Sequence, residues 1–282
     1  MNKVPNLQYH LSPDELHKLQ RVLLEMLLEL DRVCKKHSIR YCLIAGTLLG
    51  AVRHGGFIPW DDDLDVGMTR GEYEKFRAVS HELDPARFFF QDHTTDPGYR
   101  WGWGRVRRLN SEFLRTGQEH MSMRTGIFLD VFPLDGVPDC YPLRALRNFE
   151  CFVVRKFLYA ETGTVTGRGI SKPLYRLMLK VPRDTVFRWR DRLIARGRRK
   201  ATKYVRILTF PTPKNRKFDY LLRWYTDLDD ILFEGYHFPA PKDRDGYLRF
   251  KFGDYMTPPP EGARRTHPVS AFTLPDDCAF YD

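Results

Sequence analysis

The sequence predicts a mixed α/β (α+β) fold, in which a sheet-containing core is followed by a helical C-terminal extension. Three observations predict it. An amphipathic helical segment with a capping signal opens the chain. Runs rich in β-branched and aromatic residues then alternate with helical segments up to about residue 137, and beyond that point the pattern is mostly helical. The 282 residues are enough for one large domain or for a core with a substantial extension.

The first helix is predicted from its capping signal. The segment from Ser12 to Glu15 has Ser at the N-cap, Pro at the first helical position and Glu three residues after the cap, which is a capping box. The helix should end near His37 and Ser38. Apolar residues recur along it at helical spacing: Leu16, Leu19, Leu23, Leu27 and Leu30.

Short strands and helices follow in the core. The composition predicts a strand from Ile39 to Ala45, a helix from Leu48 to Arg53, a loop over 54–59 and a strand from Asp63 to Val66. A second capping box, from Thr69 to Glu72, predicts a helix that ends near Leu83. Further strands are expected over 88–90, 104–113 and 126–132, the last of them ending at Pro133.

We expect three parts along the chain. Residues 1–137 form the core with its N-terminal helix, residues 138–230 a helical region with breaks at Pro173 and Pro182, and residues 231–282 ordered loops that pack on the core. The last part is rich in Pro, Gly, Tyr and Asp. The three parts are also consistent with a single domain.

The net charge and the cysteines indicate which partners and which cellular compartment to expect. A net charge of +10 favours an anionic partner, such as a nucleotide, a phosphorylated glycan, an acidic lipid surface or nucleic acid. Five scattered cysteines without a CxxC pair indicate reduced, buried thiols. No signal peptide and no spanning apolar stretch is seen, so we expect a cytoplasmic protein. Peripheral contact with the anionic inner face of the cell membrane, through the basic segment 183–206, is the alternative to a solvated helix face.

An acidic cluster, Asp61-Asp62-Asp63-Leu64-Asp65, is the main candidate for chemistry. A charged turn is the plain alternative, but apolar residues flank the run on both sides. On a strand Asp63 and Asp65 would share one face, and a hard divalent cation would relieve their repulsion. An EF-hand is a poor match, because Val66 stands where the calcium loop needs glycine.

Two further features accompany the cluster. Gly46-Thr47, between a strand and a helix, would let backbone N–H groups approach a phosphate, although an ordinary turn has the same pattern. Asp130 lies within an apolar strand, where an unpaired carboxylate is costly. It is either satisfied by a buried hydrogen-bond or arginine partner, or it is a third carboxylate at the metal, or the base for an acceptor hydroxyl.

The segment 45–66, AGTLLGAVRHGGFIPWDDDLDV, closely resembles the LicD family. That family includes bacterial phosphorylcholine transferases, with the fukutin-type sugar transferases as more distant relatives. Three later stretches resemble its motifs in the same order: 105–111, 129–136 and 233–259. The resemblance implies a nucleotidyltransferase-type fold, dependence on Mg²⁺ (with Mn²⁺ as the alternative) and a CDP-linked donor. In bacterial members the donor is CDP-choline, and the acceptor is a cell-surface glycan precursor such as teichoic acid, lipooligosaccharide or capsule, free or lipid-linked.

The resemblance also assigns roles to residues. It places the metal ligands at Asp61, Asp63 and Asp65 with Asp130 beside them, and we expect Asp63, Asp65 and Asp130 to be catalytic. We expect phosphate or nucleotide contacts from six residues, of which the arginines are equally suited to structural salt bridges: Gly46, Thr47, Arg53, His54, Arg105 and Arg107. Four aromatic residues are candidates for a choline pocket or for the core: Trp101, Trp103, Tyr247 and Tyr255.

Two other functions are alternatives. The same fold could transfer ribitol phosphate, a sugar phosphate or a nucleotide to a glycan. A basic nucleic-acid-binding protein is the non-enzyme alternative. We expect no nucleic-acid partner, because the chain lacks the signatures of the common binding modules and its acidic cluster would repel a phosphate backbone.

Overall fold

The computed structural model describes residues 9–198, 201–211 and 219–281. Within these residues the chain is a mixed α/β protein, which confirms the predicted fold class. The helices are α1 (Pro13–Lys36), α2 (Ala45–His54), α3 (Arg70–Val79), α4 (Tyr141–Leu158), α5 (Ala160–Thr166), α6 (Ser171–Met178), α7 (Arg183–Arg198) and α8 (Arg244–Phe252). The strands are β1 (Cys42–Leu43), β2 (Asp65–Thr69), β3 (Phe88–Gln91), β4 (Gly104–Arg108), β5 (Glu112–Arg115), β6 (Phe128–Val137), β7 (Tyr204–Arg206), β8 (Tyr220–Leu221), β9 (Leu228–Phe233), β10 (Tyr236–Pro241) and β11 (Val269–Thr273).

A mixed sheet forms the centre of the fold, in the order β1-β2-β6-β4-β3, with β7 and β8 continuing from the far end of β6. β2 and β6 are parallel, and β4 runs antiparallel to β6. The register places Asp65 beside Asp130, Asp130 beside Arg105, and Arg105 beside Gln91. A row of charged and polar residues therefore crosses the sheet, and it determines where the site forms.

Helix α1 covers this sheet as the sequence predicted. The backbone N–H of Glu15 donates to Ser12 Oγ, and the Ser12 N–H donates back to the Glu15 carboxylate, so both halves of the capping box are present. The helix ends at Lys36, and its leucine face is buried against β4 and β6. Glu25 pairs with the buried Arg108 of β4 at 2.9 Å, which fixes the helix to the sheet.

The segment after α1 differs from the prediction. The strand expected from Ile39 to Ala45 is reduced to Cys42–Leu43, because α2 already begins at Ala45. Ala45 has a left-handed φ of 51°, and its N–H donates to the hydroxyl of Tyr247 at 3.1 Å. Gly46 and Thr47 are therefore in the first turn of α2 rather than before it. A contact from a residue 202 positions away decides this boundary.

The next two predictions are also corrected. Asp63 lies in a loop, because β2 begins only at Asp65, so the strand expected from Asp63 to Val66 is displaced by two residues. Thr69 precedes α3 but makes no side-chain capping bond. Glu72 instead accepts from the Arg40 N–H and pairs with Lys75, so the second capping box is absent. The helix ends at Val79 and a 3-10 turn follows, somewhat short of Leu83.

Pro133 does not end its strand, since β6 continues to Val137. The Asp130 N–H points towards β2, where it donates to the Leu64 carbonyl, so the nitrogen three residues later points to the opposite side. On that side β6 pairs with β4 only as far as Val131, and its pairing with β7 begins at Asp135. Proline is tolerated because its missing N–H falls between the two partners.

The rest of the chain is more regular than expected. The predicted strand over 104–113 is two strands, β4 and β5. Pro182 separates α6 from α7 as predicted, but Pro173 lies in the first turn of α6, where its missing N–H costs nothing. The predicted terminal loops contain the β9–β10 hairpin, α8 and β11, with β10 against β1 and α8 against α2. The proposed boundaries between parts stay a prediction.

All five cysteines are free, and four of them are buried; Cys140 is exposed, so the prediction of a buried thiol is wrong for that residue. Among the helices of the described residues, none combines the length and apolarity needed to cross a bilayer.

Candidate active site

A cavity of about 440 Å³ lies beside the start of β2. Its wall includes acidic, basic and aromatic side chains: Asp63, Asp65, Asp130, Arg105, Arg115, Arg155, Lys156, His267, Trp101, Trp103, Phe132, Tyr159 and Phe210. A larger cavity of about 700 Å³ between α3 and α7 is lined by four arginines, each of which pairs with Glu74 or Asp191. The carboxylate cluster faces the smaller cavity, which makes it the candidate active site.

Three structural features bring the acids together. Asp65 begins β2 and is in register with Asp130 of β6. Asp63 precedes β2 in the loop, and the Asp61 N–H closes a turn by donating to the Ile58 carbonyl. The Asp61 carboxylate reaches the start of α2, where a Cβ added to Gly46 would lie 2.7 Å from Asp61 Oδ2. Any side chain at position 46 would therefore have to displace the Asp61 carboxylate.

The cluster carries more negative charge than its surroundings compensate. Burial raises the pKa of Asp61 well above its usual value, and the charges of Asp63 and Asp62 raise it further. Burial also raises the pKa of Asp65, with Asp63 and Asp130 adding to the effect. The pKa of Asp63 is raised by burial, although Arg115, at 3.4 Å, and His267 oppose that shift. Ionising all of these carboxyls together is unfavourable without a further positive charge.

The donor set fits a hard divalent cation. Asp61, Asp63 and Asp65 offer only carboxylate oxygens, the ligand type that Mg²⁺ and Mn²⁺ prefer, and a cation would relieve the repulsion that raises their pKa values. Among the described residues, the group whose ligand atoms all lie within 4.8 Å of one another is a different one, Asp62, Asp63 and His267. Asp62, however, already accepts from the His267 N–H and contacts His267 Nδ1, both at 2.7 Å. We therefore assign Asp62 to the positioning of His267.

Asp130 has the arginine partner that the sequence left open. Arg105 Nε donates to Asp130 Oδ1 at 2.6 Å, and Trp103 Nε1 donates to the same oxygen at 2.8 Å. The Arg105 guanidinium also lies 3.9 Å from the centre of the Phe128 ring. Asp130 lines the cavity while paired, so its charge is balanced locally and its position is fixed.

The remaining phosphate candidates are distributed unevenly. Arg105 lines the cavity, and Thr47 Oγ1 accepts from the Asp65 N–H at 2.8 Å, which fixes the start of β2. Arg53 donates to the Tyr255 carbonyl, at the other end of α2 from Gly46. His54 lies edge-on to Trp60, and burial, followed by the charge of Arg53, lowers its pKa.

Arg107 also lies away from the cavity. It is buried and donates to Gln91 Oε1 at 2.7 Å and to the Gly126 carbonyl at 2.6 Å. The structure thus gathers Asp63, Asp65, Asp130 and Arg105 at the cavity and places Asp61 beside Gly46. Thr47 contacts Asp65, and Arg53, His54 and Arg107 lie elsewhere.

Two cations near the aspartates were not found from the sequence. Arg115 and Lys251 face the aspartates, although burial lowers the pKa of Lys251 more than Asp65 and Asp63 raise it. Neither belongs to a recognisable local pattern, because both reach the site through tertiary folding. Of the aromatic candidates Trp101 and Trp103 line the cavity, whereas Tyr247 is buried in the core.

Comparison with known proteins agrees with the recognised motifs. A family model described as LicD/FKTN/FKRP, nucleotidyltransferase domain, matches residues 38–187, more than half of the chain. The lipopolysaccharide cholinephosphotransferase LicD of Haemophilus influenzae is 27% identical over 272 residues, 90% of this chain and 96% of that protein. An uncharacterised protein of Rickettsia prowazekii is 41% identical over 187 residues, 62% of each chain. The human ribitol 5-phosphate transferase FKRP is 53% identical over 36 residues, 13% of this chain and 7% of that one.

Replacing Gly46 by Ala should destabilise the protein, because the new methyl group would displace Asp61. We expect a loss of about 1–3 kcal/mol in the free energy of unfolding, as for other overpacked sites. The measurement is urea denaturation. Gly71→Ala in α3 is the matched control, since a Cβ there meets nothing within 4 Å and should be neutral or stabilising. Equal effects of the two substitutions would contradict the close approach.

The stability of the metal-free protein should depend on pH through Asp65. Its pKa in the folded protein is raised above the unfolded value, so the folded state retains a proton that the unfolded chain releases. Stability is therefore complete below the ordinary carboxyl pKa of about 4 and falls as pH rises through the raised value. Asp65→Asn cannot ionise and avoids this loss. Denaturation of both proteins without metal should show the variant gaining on the wild type as pH rises.

Added Mg²⁺ should raise the melting temperature of the wild type at neutral pH, and Asp65→Asn should reduce that increase. Asp229→Asn, at an exposed aspartate of β9, is the control and should behave as the wild type in both experiments. A stability difference that does not change with pH would show that Asp65 is not penalised by burial.

Proposed function

The chain belongs to the LicD family, and from this membership we propose that it is a metal-dependent phosphotransferase. It moves phosphorylcholine from CDP-choline to a hydroxyl of a cell-surface glycan precursor, such as teichoic acid, lipooligosaccharide or capsule. The observation that carries the proposal is the cavity in which Asp63, Asp65 and Asp130 face a wall of aromatic rings. The named activity of the Haemophilus influenzae relative supports choline as the head group.

Asp61, Asp63 and Asp65 would hold Mg²⁺, with Mn²⁺ as the alternative. When bound, the metal supplies positive charge next to the donor diphosphate. Thr47 keeps Asp65 in place through the 2.8 Å bond to its N–H, and Gly46 leaves room for Asp61. The start of α2 thus positions the ligands as well as offering backbone N–H groups to a phosphate.

The donor phosphates would meet several cationic side chains. Arg105, Arg115, Arg155 and Lys156 all line the cavity. Arg115 Nε is buried and lacks a hydrogen-bond partner among the described residues, as expected of a donor that binds a ligand. These cations come from β4, β5 and α4, so they would contact an anionic ligand from different sides. Such positioning is the main contribution a protein makes to phosphoryl transfer.

The choline head group would meet the aromatic wall. The rings of Trp101 and Trp103 are stacked 6.0 Å apart with 14° between their planes. Phe132 and Phe210 each lie within 5.6 Å of the Trp103 ring. Aromatic faces attract a quaternary ammonium through their negative electrostatic potential, and they offer few partners to the hydroxyls of a polyol. This wall favours choline over ribitol as the transferred group.

In the reaction the acceptor hydroxyl attacks the phosphorus that carries choline, a new P–O bond forms, and CMP leaves with the electrons of the broken P–O bond. Asp130 and His267 are the candidates to accept the hydroxyl proton, because both line the cavity. Asp62 contacts His267 Nδ1, which favours a hydrogen on Nδ1 and leaves Nε2 as the basic nitrogen. Arg105 and Trp103 hold Asp130 in position.

Ribitol phosphate is the second candidate for the transferred group. The supporting observation is the 36-residue match to the ribitol 5-phosphate transferase, which covers only 13% of this chain. It is tested beside choline in the same assay.

Asp63→Asn and Asp65→Asn should each reduce CMP release from CDP-choline by about 100-fold or more, as expected for loss of a metal ligand. The assay contains Mg²⁺ and an acceptor glycan, and it is repeated with CDP-ribitol. Asp229→Asn should retain wild-type activity because its side chain is exposed on β9. Full activity of both site variants would refute the metal assignment. Faster CMP release from CDP-ribitol than from CDP-choline would show that ribitol phosphate is the transferred group.

Trp103→Leu should raise the KM for CDP-choline by about tenfold, because the aromatic face is lost. Trp103→Phe is the matched variant: it loses the same hydrogen bond to Asp130 but keeps a ring. We expect the Phe variant to retain most of the affinity for CDP-choline while sharing any reduction of kcat. Equal KM values for the two variants would show that the ring does not bind the ammonium group.

A further inference from the structure

The helical region has an exposed apolar face that no part of the described chain covers. On α4, Leu146, Phe149 and Phe152 are 57%, 64% and 44% exposed, on the side opposite the buried residues of that helix. At α6, Ile170, Leu174 and Leu177 are 90%, 52% and 59% exposed and follow one another at helical spacing. We call these six residues the α4–α6 face. Large apolar side chains grouped this way mark an interaction surface.

The two helices meet at Lys156. Its ammonium group donates to the Tyr175 hydroxyl at 3.1 Å and lies 5.5 Å from the centre of the Phe152 ring. The exposed end of α4 therefore contacts α6, while α5 packs against both helices. The six residues of the α4–α6 face thus lie on two amphipathic helices that contact each other.

The charge around this face is positive. Residues 141–181 contain eight Lys and Arg but only two acidic residues. Both acidic side chains are ion-paired, Glu150 with Arg147 and Arg196 and Glu161 with Arg100. Three cations are exposed on or beside α6: Arg168, Arg176 and Lys180. An occupant that is both apolar and anionic fits this face best, and like-charge repulsion disfavours a second copy of it.

The basic segment 183–206 is less suited to this role. Arg183 donates to the backbone carbonyls of Tyr99 and His93, and Arg190 is buried beside His93. Arg206 is buried and paired with Asp219. Residues 199 and 200 of the segment lie outside the described residues. Much of its charge is used within the protein, whereas the cations beside α6 face solvent.

We propose that the α4–α6 face lies on an anionic phospholipid surface. Interfacial helices of this kind insert their apolar side chains at the headgroup boundary while Lys and Arg contact the phosphates. Arg155 and Lys156 line the candidate active site and also lie over the ring of Phe152, so docking would bring the mouth of the cavity to the bilayer. This last point rests on the proposed function: a lipid-linked glycan acceptor would then enter from the membrane.

Flotation of the full-length protein with vesicles tests the proposal without an activity assay. The wild type should float with vesicles that contain phosphatidylglycerol at low salt, and less with phosphatidylcholine alone. Phe149→Glu combined with Leu174→Glu should reduce the bound fraction by about tenfold or more, because apolar burial is lost and negative charge faces the lipid. Arg176→Glu combined with Lys180→Glu should remove the preference for anionic vesicles.

Leu232→Glu is the matched control, since Leu232 is 49% exposed on the β9–β10 hairpin, away from this face. It should float as the wild type does. All variants replace exposed residues, and equal melting temperatures would verify that they fold. Absence of wild-type flotation at low salt, or unchanged flotation of Phe149→Glu with Leu174→Glu, overturns the proposal.

Light scattering on the same proteins without vesicles tests whether a second copy of the chain covers the α4–α6 face instead. A wild-type dimer that dissociates on Phe149→Glu with Leu174→Glu would assign the face to a second copy and would also overturn the proposal. Transfer to a soluble acceptor should be unaffected by this double substitution. Flotation without any transferase activity would reject the proposed function and leave membrane docking intact.

Discussion

The register between β2 and β6 is the constraint on which the rest of the site depends. Parallel pairing puts Asp65 beside Asp130, and the loop before β2 brings Asp63 and Asp61 to the same place. So many carboxylates cannot ionise together in a partly buried space unless positive charge is nearby. The protein supplies some of it from distant segments, Arg115 from β5 and Lys251 from α8. Burial and mutual repulsion raise the pKa values of Asp61, Asp63 and Asp65, and the divalent cation that we propose here would offset this cost.

The start of α2 supports the acidic cluster in two ways: it leaves space for a carboxylate, and it fixes the first residue of β2. Glycine at 46 admits Asp61, and the Thr47 hydroxyl bonds the first N–H of β2. The left-handed backbone of Ala45 is supported by the Tyr247 hydroxyl, so this candidate for the choline pocket supports the turn instead. The C-terminal part is therefore coupled to the acidic cluster by packing as well as by charge.

The cavity combines two kinds of wall. Its carboxylates are suited to the metal that we propose, and its tryptophan and phenylalanine rings to a choline group. Arginine and lysine from α4 also line the cavity, and the same helix exposes large apolar residues. The helical extension thus contributes to the cavity, and its outer surface has the character of a lipid-facing element.

Many features of the fold could be predicted because they depend on local chemistry. The capping box at Ser12 satisfies backbone groups within four residues, and the leucine spacing of α1 fixes its buried face regardless of what lies beneath. Predictions failed where a residue distant in the sequence determines the local structure. Pro133 stays inside a strand because of where β4 and β7 end, and Glu72 leaves its capping position for Arg40 and Lys75.

By itself the sequence determined the family, the mixed α/β class and the aspartates at the candidate site, because these follow from short motifs at fixed spacing. Only the tertiary structure decided which charges face them. Arg105 and Arg107 look alike in the sequence, but one pairs with Asp130 at the cavity and the other is buried against Gln91 and Gly126. Arg115, Lys251 and His267 reach the cluster from three separate elements. Charges compensate one another according to their distance in space, and the separation of two residues along the chain does not give that distance.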